Sequence, residues 1–311
     1  MTNLVYLAKN KNVGLINLHT CSGLEEKKRL NVVLKGLFLE LPTNAGIKKA
    51  LKNNRLILNG KVASSASWVQ SGDVIELMEP EFIPPKEFKL KLEVIYEDEY
   101  MAAVIKLPGY PVSGNLFKSI ENALNFNLKK SKEPDALEWP RPVHRLDNPT
   151  TGILLISKTS RASKGLGLQF QDKDIQKTYR ALVQGEVDED GVLNEPIEGK
   201  ESVTEFKRLG LSKSLVNNMI SDVALFPKTG RTHQLRIHMA SIGHSIIGDQ
   251  IYGVEGKTLK HKGLFLYAVG MVFIHPISGE EIKLMMNLPS KYQTYIDREK
   301  IRWDKFNSSL M

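Results

Sequence analysis

His144-Arg145-Leu146-Asp147-Asn148-Pro149-Thr150-Thr151-Gly152 runs directly into Ile153-Leu154-Leu155-Ile156, so a polar turn hands over to an extended apolar segment. Pro149 and Gly152 shape the turn, and the four aliphatics anchor it in the protein interior. The stretch sets one carboxylate beside one guanidinium, and a nearby cation favours the ionised form of an acid. A positioned, ionised Asp147 can act as a nucleophile, a base or a metal ligand. The same triplet also occurs as a turn-capping Asp next to a surface Arg, so its meaning depends on the rest of the chain.

Outward from this turn the pattern is rich in strands. Val94-Ile95-Tyr96 leads through an acidic turn to a strand from Met101 to Ile105, and strands are also expected at 179–183, 223–225, 234–237 and 284–286. Helical spacing is confined mainly to 117–129 and 160–171. Helices do not alternate regularly with strands, so the fold class is α+β with a largely antiparallel mixed sheet.

Residues 1–82 read as a separate, small α+β unit. Apolar residues at helical spacing (Leu30, Val33, Leu34, Leu37, Phe38, Leu41) predict a helix over 24–41. Pro42-Thr43-Asn44 breaks it and caps a second helix over 45–53. Leu58-Asn59-Gly60-Lys61-Val62 reads as a hairpin, and Gly72-Asp73 turns into a last strand, Val74-Ile75-Glu76-Leu77. Lys48, Lys52 and Arg55 fall at i, i+4 and i+7, a basic stripe on one helical face. Pro80, Pro84 and Pro85 among charged residues mark a stiff linker, placed at 83–91, and the second domain occupies 92–311.

Composition narrows the classes of function. Forty-three Lys and Arg against thirty-five Asp and Glu give a formal net charge of +8, which suits a phosphate-backbone partner. No apolar run reaches membrane-spanning length, and Met1-Thr2-Asn3-Leu4-Val5-Tyr6 lacks the layout of a signal peptide. The single Cys21 excludes an internal disulfide and a multi-thiolate zinc site. A cytoplasmic monomer is the expectation.

Three further segments join the Asp147 turn: Lys106-Leu107-Pro108-Gly109, Lys177-Thr178-Tyr179-Arg180-Ala181-Leu182-Val183-Gln184-Gly185, and Gly230-Arg231-Thr232-His233-Gln234-Leu235-Arg236-Ile237-His238. Read as a strand, the last puts Thr232, Gln234, Arg236 and His238 on one face, donors that need acceptors such as a phosphate or carboxylate. His233 and His238 lie at no metalloenzyme spacing, and neither a Gly-x-Ser-x-Gly elbow nor a phosphate-binding Gly loop is present.

Together these segments resemble the pseudouridine synthases that modify uridines in ribosomal and transfer RNA, in the branch typified by the large-subunit ribosomal enzymes. The family's His-Arg-Leu-Asp-x-x-Thr-Ser-Gly motif stands at 144–152 with Thr151 for Ser, and Lys-x-Tyr-x-Ala-x-Val-x-Gly stands at 177–185. Gly-Arg-Thr-His-Gln-Ile-Arg stands at 230–236 with Leu235 for Ile, and Lys-Pro-x-Gly is relaxed at 106–109. The resemblance covers roughly 92–290 in the family's order. The small unit resembles the alpha-L RNA-binding module first described in ribosomal small-subunit protein four, on Leu58–Val62 and Gly72–Ile75.

The resemblance implies an isomerase that breaks the C1′–N1 bond of uridine, turns the base and rejoins it through C5, with no cofactor and no metal. It makes Asp147 the carboxylate at the sugar–base junction, acting on the sugar, on the base or in a glycal route. It makes Arg231 the buried ion-pair partner of Asp147, Tyr179 the residue stacked on the target base, and Arg145 the group filling the space the base vacates. His144, Thr150, Thr151, Gln234, Arg236 and His238 are expected to contact RNA near the site, and Lys48, Lys52 and Arg55 at a distance. The alternatives weighed are a non-catalytic RNA-binding ribosome-assembly factor that retains the fold, and a metal-dependent nucleic-acid hydrolase.

Overall fold

A computed structural model describes residues 14–80, 86–254 and 262–308. The N-terminal hexapeptide and Pro84-Pro85 lie outside these. The chain divides into two compact units, 1–83 and 84–311.

In the smaller unit, β1 (Leu15–Thr20), β2 (Lys28–Arg29), α1 (Leu30–Val33), α2 (Asn44–Lys52), β3 (Leu56–Leu58), β4 (Lys61–Val62), β5 (Trp68–Val69) and β6 (Val74–Met78) follow in order. Four strands form an antiparallel sheet in the order β1-β6-β3-β4. Thr43 caps α2 as expected, its hydroxyl accepting from the Gly46 N–H at 3.0 Å. The helix over 24–41 is corrected: only one turn forms, and Gly36 at φ +73° takes a left-handed conformation that ends any continuation. Its apolar residues still reach the core, where Leu30, Leu34, Phe38 and Leu41 pack with Leu56, Ile75 and Leu77. Helical spacing therefore identified the buried side chains but not the backbone. Arg55 lies beyond the end of α2, its Nε donating to the Met78 carbonyl at 3.0 Å, so it is not part of a helical stripe with Lys48 and Lys52.

The larger unit continues with β7 (Val94–Glu97), β8 (Met101–Lys106), α3 (Ile120–Asn127), β9 (Ala136–Pro142), β10 (Thr151–Thr159), α4 (Ser160–Gln171), β11 (Gln176–Gln184), β12 (Asp190–Leu193), β13 (Thr204–Ser214), β14 (Asn218–Pro227), α5 (Gln234–Ser241), β15 (Leu266–Ile274), β16 (Glu281–Met285) and α6 (Ser290–Ser308). A ten-stranded sheet runs β12-β13-β14-β11-β15-β10-β8-β7, with β16 on β15 and β9 on β10. Every pairing is antiparallel except β10 with β15, so the expected mixed, largely antiparallel sheet is observed.

The parallel contact is short and close, pairing Thr151 with Tyr267 and Gly152 with Ala268. Gly152 sits at φ +147°, and a Cβ there would lie 2.4 Å from the Ala268 carbonyl oxygen, so only glycine allows the approach. Beyond it, β10 is buried from Gly152 to Thr159, which is what the aliphatic run predicted.

Two further expectations are corrected. The 83–91 linker ends early: Phe88 packs on Tyr110 and Phe117, and its N–H donates to the Asn122 carbonyl at 2.8 Å, so this part belongs to the larger unit. The strand over 234–237 is instead the helix α5. Its i, i+4 pairs explain why: Leu235 and Met239 enter one core cluster, while Gln234 and His238 both reach the Thr204 hydroxyl. The long α6 is absent from the sequence reading because its inward stripe, Tyr292, Tyr295, Ile296 and Glu299, is mostly polar or aromatic.

Candidate active site

The Asp147 turn is built from three sides. Leu146, buried, packs with Leu154, Ile156 and Ala268. The Thr150 N–H closes the turn on the Asp147 carbonyl at 3.0 Å. From below, the wholly buried Lys106 donates through Nζ to the carbonyls of Leu107 (3.0 Å), Asn148 (2.9 Å) and Thr150 (2.8 Å). Burial pushes the Lys106 ammonium down to about 8, opposed by the Asp147 carboxylate. An ammonium's three donors thus meet three carbonyls, and the turn is locked. The sequence flagged 106–109 as a motif without assigning Lys106 this work.

His144 also serves the turn. Its Nε2 accepts the Leu155 N–H at 3.0 Å, and its ring stacks on Phe170 at 4.8 Å. Burial pushes the imidazole down to about 3, so it is neutral. Its acceptor nitrogen is thus spent on the backbone, while the residue also lines the cleft beside Asp147.

The partner of Asp147 is corrected too. Arg236, not Arg231, faces it, with Nη1 3.8 Å from Oδ2. Arg236 is 3 % exposed, its guanidinium lies 5.1 Å from the Tyr252 ring centroid, and Nε and Nη2 grip Asp249. Arg231 is exposed and donates through Nε to the Glu201 carbonyl at 3.0 Å. Reading 230–238 as a strand placed Arg236 on the RNA-binding face; one helical turn carries it under Asp147 instead.

Gln234 and His238, both expected to bind RNA, are consumed internally. Gln234 accepts from the Thr229 hydroxyl and the Arg231 N–H and donates to Val203 and Thr204. His238 is fully buried between the Thr204 hydroxyl and the Glu195 carbonyl. They hold the loop that carries Arg231 and His233. Thr150 is buried with its hydroxyl unpaired among the described residues, and Thr151 sits in the β10–β15 contact.

Tyr179 enters from β11, where the pairing with β15 slips between Thr178 and Tyr179, an irregularity of the kind that re-aims a side chain. It bridges two core clusters. Burial, and then the Asp147 charge, push its hydroxyl above the usual phenol range, so it keeps its proton. Arg145, exposed, and Lys177, pushed down by burial, complete the walls with Arg231 and His233. His233 stands at φ +56°, an uncommon conformation for a side-chain residue, with Nδ1 3.0 Å from the Tyr252 hydroxyl. Among the described residues, no group of three or more His, Cys, Asp or Glu is placed to hold a metal ion.

One acidic group set among cations in a cleft suits a ligand that carries phosphates. The sequence profile of the RNA pseudouridylate synthase family matches residues 100–241. An uncharacterized RNA pseudouridine synthase of Aquifex aeolicus is 31% identical over 297 residues, covering 86% of this chain and 93% of that protein. Ribosomal large subunit pseudouridine synthase D of Zymomonas mobilis is 34% identical over 242 residues, covering 69% and 73%. Human RNA Pseudouridylate Synthase Domain Containing 1 shares the fold at a TM-score of 0.54 and 22% identity, covering 64% of this chain and 84% of that one. The chain belongs to the RNA pseudouridine synthase family. It is an isomerase that converts uridine in RNA to pseudouridine.

Proposed function

We propose that Asp147 opens the glycosidic bond of an extruded uridine and that the cleft above it seats that nucleotide. One observation carries this reading: among the described residues lining the cleft, Asp147 is the only carboxylate, set among Arg145, Lys177, Arg231 and Arg236. The cations attract the phosphate backbone, and the lone anion faces the sugar–base junction. The isomerisation breaks C1′–N1, forms C1′–C5, removes the C5 proton and returns one to N1, so no atom is lost. Tyr179, protonated, offers a ring for stacking and a donor rather than a base. Arg145 stands exposed at the mouth, suited to fill the gap left in the stack. Flipping costs a few kcal/mol, which guanidinium stacking on neighbouring bases offsets.

The substrate we infer is structured ribosomal RNA, since the Zymomonas mobilis relative is named for the large ribosomal subunit; transfer RNA is the other member of the class. The small unit would add sequence-independent grip through Lys48 and Lys52, both exposed on α2. A cytoplasmic location fits an RNA substrate and a lone, buried Cys21, and no helix among the described residues is long and apolar enough to cross a membrane.

The test is a map of pseudouridine across total RNA from cells with and without this gene. Discrete uridines should lose modification, regain it with the wild-type gene and stay unmodified with Asp147→Asn. An unchanged map overturns the RNA assignment, whereas full restoration by Asp147→Asn removes that residue from the chemistry.

A further inference from the structure

Beside the cleft lies a second cavity of about 690 Å³, and Arg236 and His233 line both. Its size falls within the roughly 300–1,000 Å³ of small-ligand sites. Pro149, Leu264 and Ile251 give it apolar walls, and Ile251 stands 64% exposed at its edge. Asn148 lines it as well; its backbone carbonyl is taken by Lys106 and Gly109, while its exposed side-chain amide bonds to no other described residue. The floor is fixed at Gly248, φ +81°, where a Cβ would lie 1.9 Å from the Gly263 carbonyl oxygen.

The charge of this lining decides the class of ligand. Arg236 and Asp249 are its only charged members among the described residues, and they neutralise each other through two hydrogen bonds. Among the described residues of the lining, a phosphate would find no unspent cation. A flat, neutral ring with donor and acceptor edges finds apolar walls and a free amide. Asn148 follows Asp147 directly, and consecutive Cα atoms lie about 3.8 Å apart, so a strand whose uridine reaches Asp147 brings its neighbours to Asn148.

The geometry points to a seat for a second unstacked nucleobase, within two nucleotides of the target uridine, whose edge the Asn148 amide reads. This rests on the reading of Asp147 as the reacting carboxylate. Sequence-specific RNA recognition targets splayed bases in loops, and an amide pairs with a base edge. The cavity would therefore select the uridine by the identity of its neighbour.

The RNA found by the pseudouridine map supplies the substrate, as a synthetic stem-loop in which each of the two nucleotides on either side of the uridine is made abasic in turn. At one position, base removal should raise the wild-type KM about tenfold. Asn148→Ala and Ile251→Ala enzymes, their KM already raised on the intact loop, should lose nothing further there. Ile251 is exposed, so its truncation leaves the fold intact. The Asp147→Asn protein, measured by binding alone, should pick out the same position, so this arm holds whether or not Asp147 is the reacting group. Equal losses at all four positions, or the same loss in wild type and both variants, overturn the second seat.

Discussion

Asp249 holds Arg236 in a two-point grip, Nε to Oδ2 at 2.7 Å and Nη2 to Oδ1 at 2.8 Å, which leaves only Nη1 to face Asp147. A planar guanidinium bound at two points cannot rotate about its axis. Asp249 is itself fixed, its Oδ1 accepting the N–H groups of Ile251 and Tyr252. A carboxylate outside the Asp147 cleft thus positions the cation that faces Asp147.

Asp249→Asn tests this positioning. The amide keeps the shape but drops the charge, stranding a buried guanidinium at a cost of about 3–5 kcal/mol. We expect kcat to fall about 10–100-fold, the scale known for losing the partners that orient metal ligands, with KM little changed. Steady-state kinetics beside a urea titration separate the two effects. Stability loss with an unaltered kcat would show that Arg236 needs no such hold.

Lys106 ties activity to alkaline pH. Its ammonium is pushed down to about 8 by burial, with the Asp147 carboxylate opposing. Between about pH 8 and the ordinary lysine value of 10.5, the native protein has released a proton that the unfolded chain retains, so this group makes stability rise with pH across that window. Activity moves the other way: a neutral amine brings two N–H donors to three carbonyls, and the turn bearing Asp147 loosens. A kcat profile with an alkaline limb near pH 8 is expected. Lys106→Met should lack that limb and lose about 2–6 kcal/mol, since the Leu107 and Thr150 carbonyls are orphaned at about 1–3 kcal/mol each while the Asn148 carbonyl keeps the Gly109 N–H. A limb that persists unchanged in Lys106→Met belongs to another group.

His144 governs the acid side. Burial holds its imidazole down to about 3 in the native state against 6.5 when free. The unfolded chain therefore binds the extra proton first, and this contribution to stability is lost as pH falls from about 6.5 toward 3. His144→Phe keeps a ring on Phe170 but removes the acceptor for the Leu155 N–H. It should be about 1–3 kcal/mol less stable at neutral pH and show a shallower acid slope in urea titrations from pH 7 to 4. An acid slope identical to wild type would place the titration elsewhere.

Much of this was legible in the sequence where one period or one turn type decides. The aliphatic run Ile153–Ile156 forms the buried strand, Thr43 caps its helix, and Asn59-Gly60 turns its hairpin. Arg231 and Arg236 show the limit. Both sit in one motif, and only the backbone conformation, a left-handed His233 followed by a helix, decides which guanidinium reaches Asp147. Asp249 and Lys106 were hidden for another reason: their partners are distant in sequence, and a buried charge leaves no periodic mark. Gln234 and His238 resembled binding residues because polar groups that hold a loop and polar groups that hold a ligand are the same chemical groups.

Lys48 and Lys52 project from α2 into solvent, whereas Arg55 spends its Nε on the Met78 carbonyl, and the difference makes a prediction. If the two lysines each neutralise one phosphate, the Lys48→Ala/Lys52→Ala protein should bind its RNA more weakly, with a log–log salt slope shallower by about 1.4–1.8. Turnover at saturating RNA should hold, because neither lysine lines the Asp147 cleft. Arg55→Ala should instead lower the melting temperature while changing the salt slope little, since its guanidinium braces the closing strand. Filter binding across a salt series, set beside thermal unfolding, reads both. A salt slope unmoved by loss of both lysines would mean that α2 does not touch the phosphate backbone, and that any grip from this unit comes from another of its surfaces.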